Sequence, residues 1–404
     1  HVQSTLAKLS LCRTPALGEH IYQCESCDHS CIVHNSCGDR HCPQCSGAKR
    51  RTWMDSAAKL LLPGIDYFQV VFTMPDKLSS LALGNRREIF DLLFRSAWHA
   101  LKQVIEDEQQ FEAAASMILH LWNQHLESHI HLHAFVPSGG PSLTVGRPTA
   151  DASCRSECSD ESSLKVAGEW KTARPPVHLR QDRLWLVDAD ELRLAFRTEF
   201  LKGLHSLHRR DKLKLTGEWR FLRQTAAFEV WLEPLEEKAW VTFIQAPPEH
   251  SSPEHVLRYL ARYLTGGPIS DRRLLRHEDG RVTFLARTGT THGGSDETEA
   301  VEVSGAEFVR RWSLFIFPKG YTKTRRYGGF SNYHRKRYLL ECSELLSVVA
   351  DKPVAPDVTE SAEYDGERRC PHCETPLLCV SATEKSSWCD VMRSSSRPGW
   401  YDDG

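Results

Sequence analysis

The run His129-Ile-His131-Leu-His133 alternates polar and apolar residues and continues into Ala-Phe-Val136. A period of two is the period of a β-strand, whose alternate side chains point to one face. The segment from His129 to Val136 is therefore expected to be a strand, and imidazoles on alternate positions can hold one metal ion between them. Tyr259 and Tyr263 stand four apart on an expected helix. They share a helix face and can offer both hydroxyls to that ion. A metal beside tyrosine nucleophiles suggests phosphodiester chemistry on DNA. Each half alone has an ordinary explanation, hydrogen-bonded imidazoles at a sheet edge and aromatic packing on an amphipathic helix. The combination is what points to function.

Seven of the 14 cysteines fall within residues 12–45. In a large chain such close spacing reads as metal binding in a reducing compartment rather than as a disulfide framework. Cys24-Glu-Ser-Cys27 and Cys42-Pro-Gln-Cys45 are C-x2-C knuckles separated by 14 residues, close to zinc-ribbon spacing. Each supplies two thiolates, so a tetrahedral zinc site is expected at Cys24, Cys27, Cys42 and Cys45. Cys12, Cys31, Cys37 and His41 are surplus ligands, which leaves open a three-cysteine, one-histidine site or a second ion. Near the other end, Cys370-Pro-His-Cys373 is a single knuckle. With Cys379 and Cys389 it would form a second zinc site.

With 404 residues, 40% hydrophobic and 26% charged, the chain is long enough for two or three domains of ordinary globular composition. A net charge of −2 does not mark a nucleic-acid binder. Local basic stripes matter more to a phosphate backbone than the sum. Lys49-Arg50-Arg51, Lys323 with Arg325-Arg326, and His334-Arg335-Lys336-Arg337 are such clusters, offset by acidic stretches around 151–162 and 356–367. No apolar run approaches the roughly 20 residues that span a bilayer, so no membrane partner is expected. No secretory signal is visible, and the expected location is the cytoplasm.

A zinc module is expected over residues 1–60. Beyond it, Asp66–Thr73 is rich in aromatic and β-branched residues and reads as a buried strand. Residues 85–107 carry Ile89, Phe90, Leu93, Trp98, Leu101 and Ile105 at helical spacing. Met117–Gln124 is a second strand, joined by a short turn to the histidine strand, so the pair is expected to form a hairpin. Residues 141–187 read as a surface excursion. A helix is expected over 188–208, and strands at 226–232 and Trp240–Ala246. Ser252-Pro253-Glu254 can start the helix that carries Arg258, Tyr259, Arg262 and Tyr263. A hairpin around Asp279-Gly280 and a helix near 305–316 follow. Pro, Glu and Ser rise beyond 350, and 383–404 is expected to be disordered.

Taken in order, several of these stretches resemble the two-tyrosine HUH transposases of the rolling-circle insertion-sequence-91 type. They are Cys12-Arg-Thr-Pro-Ala-Leu-Gly18, Ser36-Cys-Gly-Asp-Arg-His-Cys-Pro-Gln-Cys45, Val71-Phe-Thr-Met-Pro75 and His129-Ile-His-Leu-His-Ala-Phe-Val-Pro137. They continue with Arg258-Tyr-Leu-Ala-Arg-Tyr263, Phe308-Val-Arg-Arg-Trp312, Pro318-Lys-Gly320 and Arg326-Tyr-Gly328. The resemblance implies an α+β fold, an HUH-nuclease domain in which helices flank a ferredoxin- or RRM-like antiparallel sheet, with an N-terminal zinc-binding module. The nuclease domain would span 61–337, with 141–187 as an insertion, and 338–404 would be a C-terminal tail with the second zinc knuckle. By position, the metal-holding pair is His131 and His133, and the nucleophiles are Tyr259 and Tyr263. HUH sites take a third polar ligand. Gln124 is the first choice, with Glu127 and His129 as alternatives.

Two imidazoles and an amide oxygen leave open positions for Mg²⁺ or Mn²⁺ and a scissile phosphate. The implied chemistry is attack by a tyrosine that nicks and rejoins single-stranded transposon ends and target DNA through a 5′-phosphotyrosine. Arg258, Arg262, Arg325, Arg326 and Arg335 are the expected DNA contacts. The sequence has no G-x4-G-K-[ST] motif, so strand opening is expected to rely on replication, supercoiling or a host helicase. The resemblance implies a prokaryotic, nucleoid-associated setting. Two other readings remain at this stage. A plasmid-type HUH replication initiator or relaxase would use the same site at an origin, and a non-catalytic zinc DNA-binding regulator would use the histidine strand for structure only.

Overall fold

The computed structural model describes residues 1–143, 168–237, 240–247, 268–288, 297–349, 368–384, 387–388 and 391. The chain divides into two compact units. His1–Arg51, Thr265–Arg272 and Pro356–Gly404 make the first, and Thr52–Leu264 with Arg273–Ala355 the second.

The second unit is built on a five-stranded antiparallel sheet. Its strands lie in the order Thr324–Gly328, Ala114–Trp122, Ser128–Pro137, Tyr67–Thr73, Val241–Gln245. Ala114–Trp122 and Ser128–Pro137 form the expected hairpin. Asn123 shapes its turn, because the side-chain oxygen of Asn123 accepts from the backbone N–H groups of His125 and Glu127. Alternation assigns the faces. Gln69, Val71, Ile118, His120, His131, His133 and Phe135 share one face, because His120 pairs with His131, Ile118 and Val71 with His133, and Gln69 with Phe135. On the other face Phe72 meets the ring of Phe196 edge-on at 5.0 Å, and Phe196, Phe200 and Trp240 pack together beside it.

Helices close the layer. Arg86–Gln109 buries Ile89, Phe90, Leu93, Phe94, Ala97, Leu101, Val104 and Ile105 at spacings of three and four, the stripe that an amphipathic helix turns to a core. It lies along Ala189–Arg209, whose N-cap Asp188 accepts from the backbone of Asp190 and Glu191. At the Tyr67 end of the histidine face, Phe330, Tyr338 and Cys342 cover Tyr67, Ile118 and Phe135 in one apolar cluster. Tyr67 and Phe135 stack there at 4.3 Å. A second sheet of this unit runs Thr298–Ser304, Arg281–Arg287, Leu274–Glu278, the last two joined by the expected turn at Asp279-Gly280.

Two sequence expectations need correction here. Residues 226–232 are not a strand but part of the helix Thr225–Glu237, with Phe228, Leu232 and Leu235 buried at helical spacing. The segment from 338 is not simply a tail. Arg335–Val349 is a helix of the second unit, while Leu377–Ala382 is a strand of the first. The expected insertion is described at its flanks only, where Trp170–Thr172 pairs with Gly139–Pro141. Cys154, Cys158, Cys389 and most of 383–404 lie outside the described residues.

The first unit is a three-stranded antiparallel sheet with Glu19–Cys24 between Ser30–His34 and Leu377–Ala382. Its buried apolar side chains gather in two small clusters, one around Cys12, Leu17, Cys37, Cys42 and Val391, the other around Cys24, Cys370 and Leu377. Among the described residues of both units, no helix is long and apolar enough to cross a membrane.

Candidate functional site

Hairpin register brings three imidazoles together. His131 and His133 are two apart on Ser128–Pro137, and His120 faces His131 from Ala114–Trp122. His120 Nδ1 lies 3.2 Å from His131 Nε2, and His131 Nε2 lies 3.1 Å from His133 Nε2. All three side chains are buried. Nitrogen donors at about 2.0–2.1 Å from one ion sit roughly 3.0–3.4 Å apart on adjacent corners, so these separations fit a single coordination sphere.

The tautomers support the same reading. His131 Nδ1 is 3.0 Å from the carbonyl oxygen of His129, to which it donates, so Nε2 carries the lone pair. Two other ring nitrogens approach that one lone pair, more than a single hydrogen bond can use. A cation at the centre satisfies all three at once. The side-chain amide of Gln69 lies 3.0 Å from His133 Nδ1. The atom at that distance is Gln69 Nε2; a half-turn of the amide puts its oxygen there instead, Nδ1–H then donates to it, and His133 too presents Nε2 to the centre.

Burial, then the charge of the neighbouring imidazoles, pushes His120 and His131 well below the ordinary imidazole range. Burial first and then His129 lower His133 to about 4. All three rings are thus neutral at neutral pH, the form that binds metals. His129 lies on the same face but at its rim, half-exposed, with Nδ1 3.9 Å from Asp76. Trp122 packs on His120 with ring centroids 4.2 Å apart, and Phe315 lies behind Trp122.

Gln124 does not join these imidazoles. The strand ends at Trp122, so Gln124 falls in the exposed turn, where its carbonyl accepts from Arg273. Glu127 is exposed in the same turn. His120 is the residue sequence reading missed. Regular pairing back from Trp122 and Ser128 would put Leu119 opposite His131, and the register shift between His120 and Trp122 brings His120 there instead.

Tyr259, Tyr263, Arg258 and Arg262 lie outside the described residues. Of the other expected DNA contacts, Arg325 is bonded to Asp91 and stacked 4.4 Å over the ring of Phe94. Arg326 donates to the hydroxyl of Ser56 at 2.8 Å and to its carbonyl at 3.2 Å. These two guanidinium groups hold the edge strand to its surroundings. Arg335 is half-exposed at the start of its helix.

The cysteines pair differently from their order in the sequence. Cys42 and Cys45 join Cys12 and Cys37, with Sγ separations of 3.5 Å for Cys12–Cys42 and 3.6 Å for both Cys12–Cys45 and Cys37–Cys45. A tetrahedron of sulfurs about 2.3 Å from zinc has edges of roughly 3.8 Å, so the four thiols fit one zinc ion. Backbone N–H groups of Cys37 and Asp39 point at the sulfurs of Cys12 and Cys37, both at 3.4 Å. Cys24 and Cys27 belong elsewhere, with Cys370 and Cys373. His41 lies outside both groups, its Nδ1 2.9 Å from Asp39. Cys31 and Cys379 are outside them as well.

Residues 1–74 match the family model described as "Transposase zinc-binding domain", and residues 163–337 match one described as "Putative transposase". A protein of Sinorhizobium fredii (strain NBRC 101917 / NGR234) described as "Putative transposase y4qJ" is 33% identical over 377 residues, which cover 91% of this chain and 86% of the relative. No solved structure matches the chain. The three histidines fall between the two family models, in a stretch that neither covers.

Proposed function

Because the chain belongs to the insertion-sequence-91-type two-tyrosine transposases, DNA-processing enzymes with a structural zinc module, we propose that it cuts and rejoins single-stranded element ends at the three-histidine face. The observation that carries this reading is the buried cluster of three neutral imidazoles on the central hairpin. His120, His131 and His133 would hold a divalent ion there, which would supply Lewis-acid polarisation of the scissile phosphate and offset charge on it. The donors are all imidazole, with no carboxylate, a set that suits transition-metal ions better than Mg²⁺.

The chain's own residues do the rest. Tyr259 or Tyr263 attacks the phosphorus through its hydroxyl oxygen. The new bond is Oη–P, the bond broken is P–O3′, the phenol proton leaves, and the departing 3′ oxygen takes up a proton. The product is a 5′-phosphotyrosine and a free 3′-hydroxyl. A second 3′-hydroxyl then attacks the phosphotyrosine and restores the tyrosine, so the bond energy is conserved through the covalent link and no nucleotide triphosphate enters the chemistry. Arg258 and Arg262, adjacent to the tyrosines in sequence, would favour the phenolate. Two tyrosines at i and i+4 allow one cleavage at the donor and one at the target. A host helicase or supercoiling would supply the single strands.

Cleavage of 5′- and 3′-labelled single-stranded element ends with Mn²⁺ tests this directly. Wild type is expected to give a metal-dependent covalent adduct on the 5′ phosphate, and the Tyr259→Phe/Tyr263→Phe double variant none. His120→Ala and His131→Ala are expected to abolish it too. Tight binding of the ends without any adduct would instead identify a zinc DNA-binding regulator.

A further inference from the structure

Cys24, Cys27, Cys370 and Cys373 come together although more than 300 residues separate the two pairs in sequence. We infer that they form a second, discontinuous zinc site, beside that of Cys12, Cys37, Cys42 and Cys45, that clasps the C-terminal ribbon into the N-terminal module. The family model for the zinc-binding domain ends at residue 74 and includes only half of these ligands.

Geometry argues first. Cys24 Sγ lies 3.4 Å from Cys373 Sγ, Cys27 Sγ 3.5 Å from Cys370 Sγ, and Cys373 Sγ 3.6 Å from Cys27 Sγ. These gaps are far beyond a disulfide bond of about 2.05 Å and near the roughly 3.8 Å edge of a zinc–thiolate tetrahedron. They also match the separations in the Cys12 cluster.

The backbone argues independently. Each pair sits on a tight knuckle, closed by Cys24 N–H to the His29 carbonyl at 2.8 Å and by Cys370 N–H to the Thr375 carbonyl at 2.8 Å. The residue just after the second cysteine is left-handed in both, Asp28 at φ 53° and Glu374 at φ 60°. Neither is glycine, and L-residues avoid this region unless something holds them there. The two knuckles thus repeat one strained turn and face each other, with Cys24 opposite Leu377 in the strand pairing and the rings of His29 and His372 edge-on at 4.6 Å. An approximate twofold arrangement of two knuckles is the way paired C-x2-C turns enclose a metal.

The clasp gives the C-terminal ribbon its reason to be there. Leu377–Ala382 is mostly exposed and adds only Leu377 to a buried cluster. Backbone pairing with so little burial is marginal, and two metal–thiolate bonds from Cys370 and Cys373 hold what packing does not.

Native mass spectrometry of the purified full-length chain counts the zinc ions. Cys370→Ser/Cys373→Ser and Cys37→Ser/Cys42→Ser are each expected to carry one zinc ion fewer than wild type. An unchanged count in Cys370→Ser/Cys373→Ser would overturn the inference. If that variant does not fold, Cys373→His decides in its place. It keeps four ligands and should keep the wild-type zinc count, while the cobalt-substituted protein loses one eighth of its thiolate-to-metal charge-transfer intensity. Undiminished intensity would show that Cys373 is not a ligand. None of these readouts depends on DNA cleavage, so a failure here is distinct from a failure of the nuclease reading.

Discussion

Protonating His131 or His133 places a charge inside the sheet beside two other imidazoles, and the fold resists it. Their folded-state affinities for a proton are lowered, so the unfolded chain binds more protons below the ordinary imidazole value of 6.5. The metal-free protein should therefore lose stability as pH falls from about 6.5 toward 4, with the slope easing below the folded-state value of His133. Each tenfold weakening of proton affinity on folding corresponds to about 1.4 kcal/mol. Thermal unfolding of the chelated protein across that range checks the sign, and a midpoint that rises on acidification would refute it. Gln69 belongs to the same network. Gln69→Leu removes the partner of His133 Nδ1 and should weaken Mn²⁺ binding about 10–100-fold. Gln69→Glu, which keeps an acceptor, should restore most of it in a calorimetric titration. His131 and His133 were legible because period-two alternation is a local signal. His120 was not, because it is defined by register across a turn, and a strand read two residues too long carried attention to Gln124 instead.

At the scale of elements, the edge strand Thr324–Gly328 shows how a basic segment can be structural. Arg325 and Arg326 tie it to Asp91 and Ser56, and its last residue, Gly328, closes against the neighbouring strand with φ 56°. A Cβ there would lie 2.0 Å from the carbonyl oxygen of Ala113 and 2.6 Å from the Trp98 ring. Gly328→Ala combines left-handed strain, about 1–3 kcal/mol, with a backbone clash that cannot relax locally. Gly320→Ala is the matched control, since φ is 73° but nothing lies within 4 Å of the added atom. Urea unfolding should show a markedly lower midpoint for Gly328→Ala and a smaller drop for Gly320→Ala. Equal losses would mean that strain alone matters. The charge run was visible in the sequence, but its intramolecular partners were distant in sequence and could not be. The helix Thr225–Glu237 failed to show for a different reason. Phe228, Val230 and Leu232 alternate like a strand, yet Val230 is 64% exposed, and the buried set is Phe228, Leu232 and Leu235. A short apolar window fits both periods, and tertiary packing chose the helical one.

Across the whole molecule, the two units obtain their stability from different sources. The second unit buries a broad apolar core, with Phe72, Phe196, Phe200 and Trp240 on one side of its sheet and Tyr67, Phe135 and Tyr338 on the other. Among its described residues, the first has two small clusters built around cysteines. Small units with so few buried side chains depend on metal, and structural zinc contributes on the order of 10–16 kcal/mol to such folds. The knuckle at Cys370 was visible in the sequence as a motif. Its partners were not, because a strand pairing between residues near 20 and near 380 leaves no trace in local spacing. That pairing makes a specific prediction for zinc removal. Under reducing conditions with a strong chelator, backbone amides of Glu19–Cys24 and Leu377–Ala382 should lose hydrogen-exchange protection together, as one cooperative step. Amides of Ala114–Trp122 and Ser128–Pro137 should stay protected, because the core that covers them holds no cysteine ligand. If Leu377–Ala382 opened while Glu19–Cys24 remained closed against Ser30–His34, the ribbon would be an accessory of the first unit. Simultaneous opening makes it part of the fold, completed only when the last segment of the chain returns to the first.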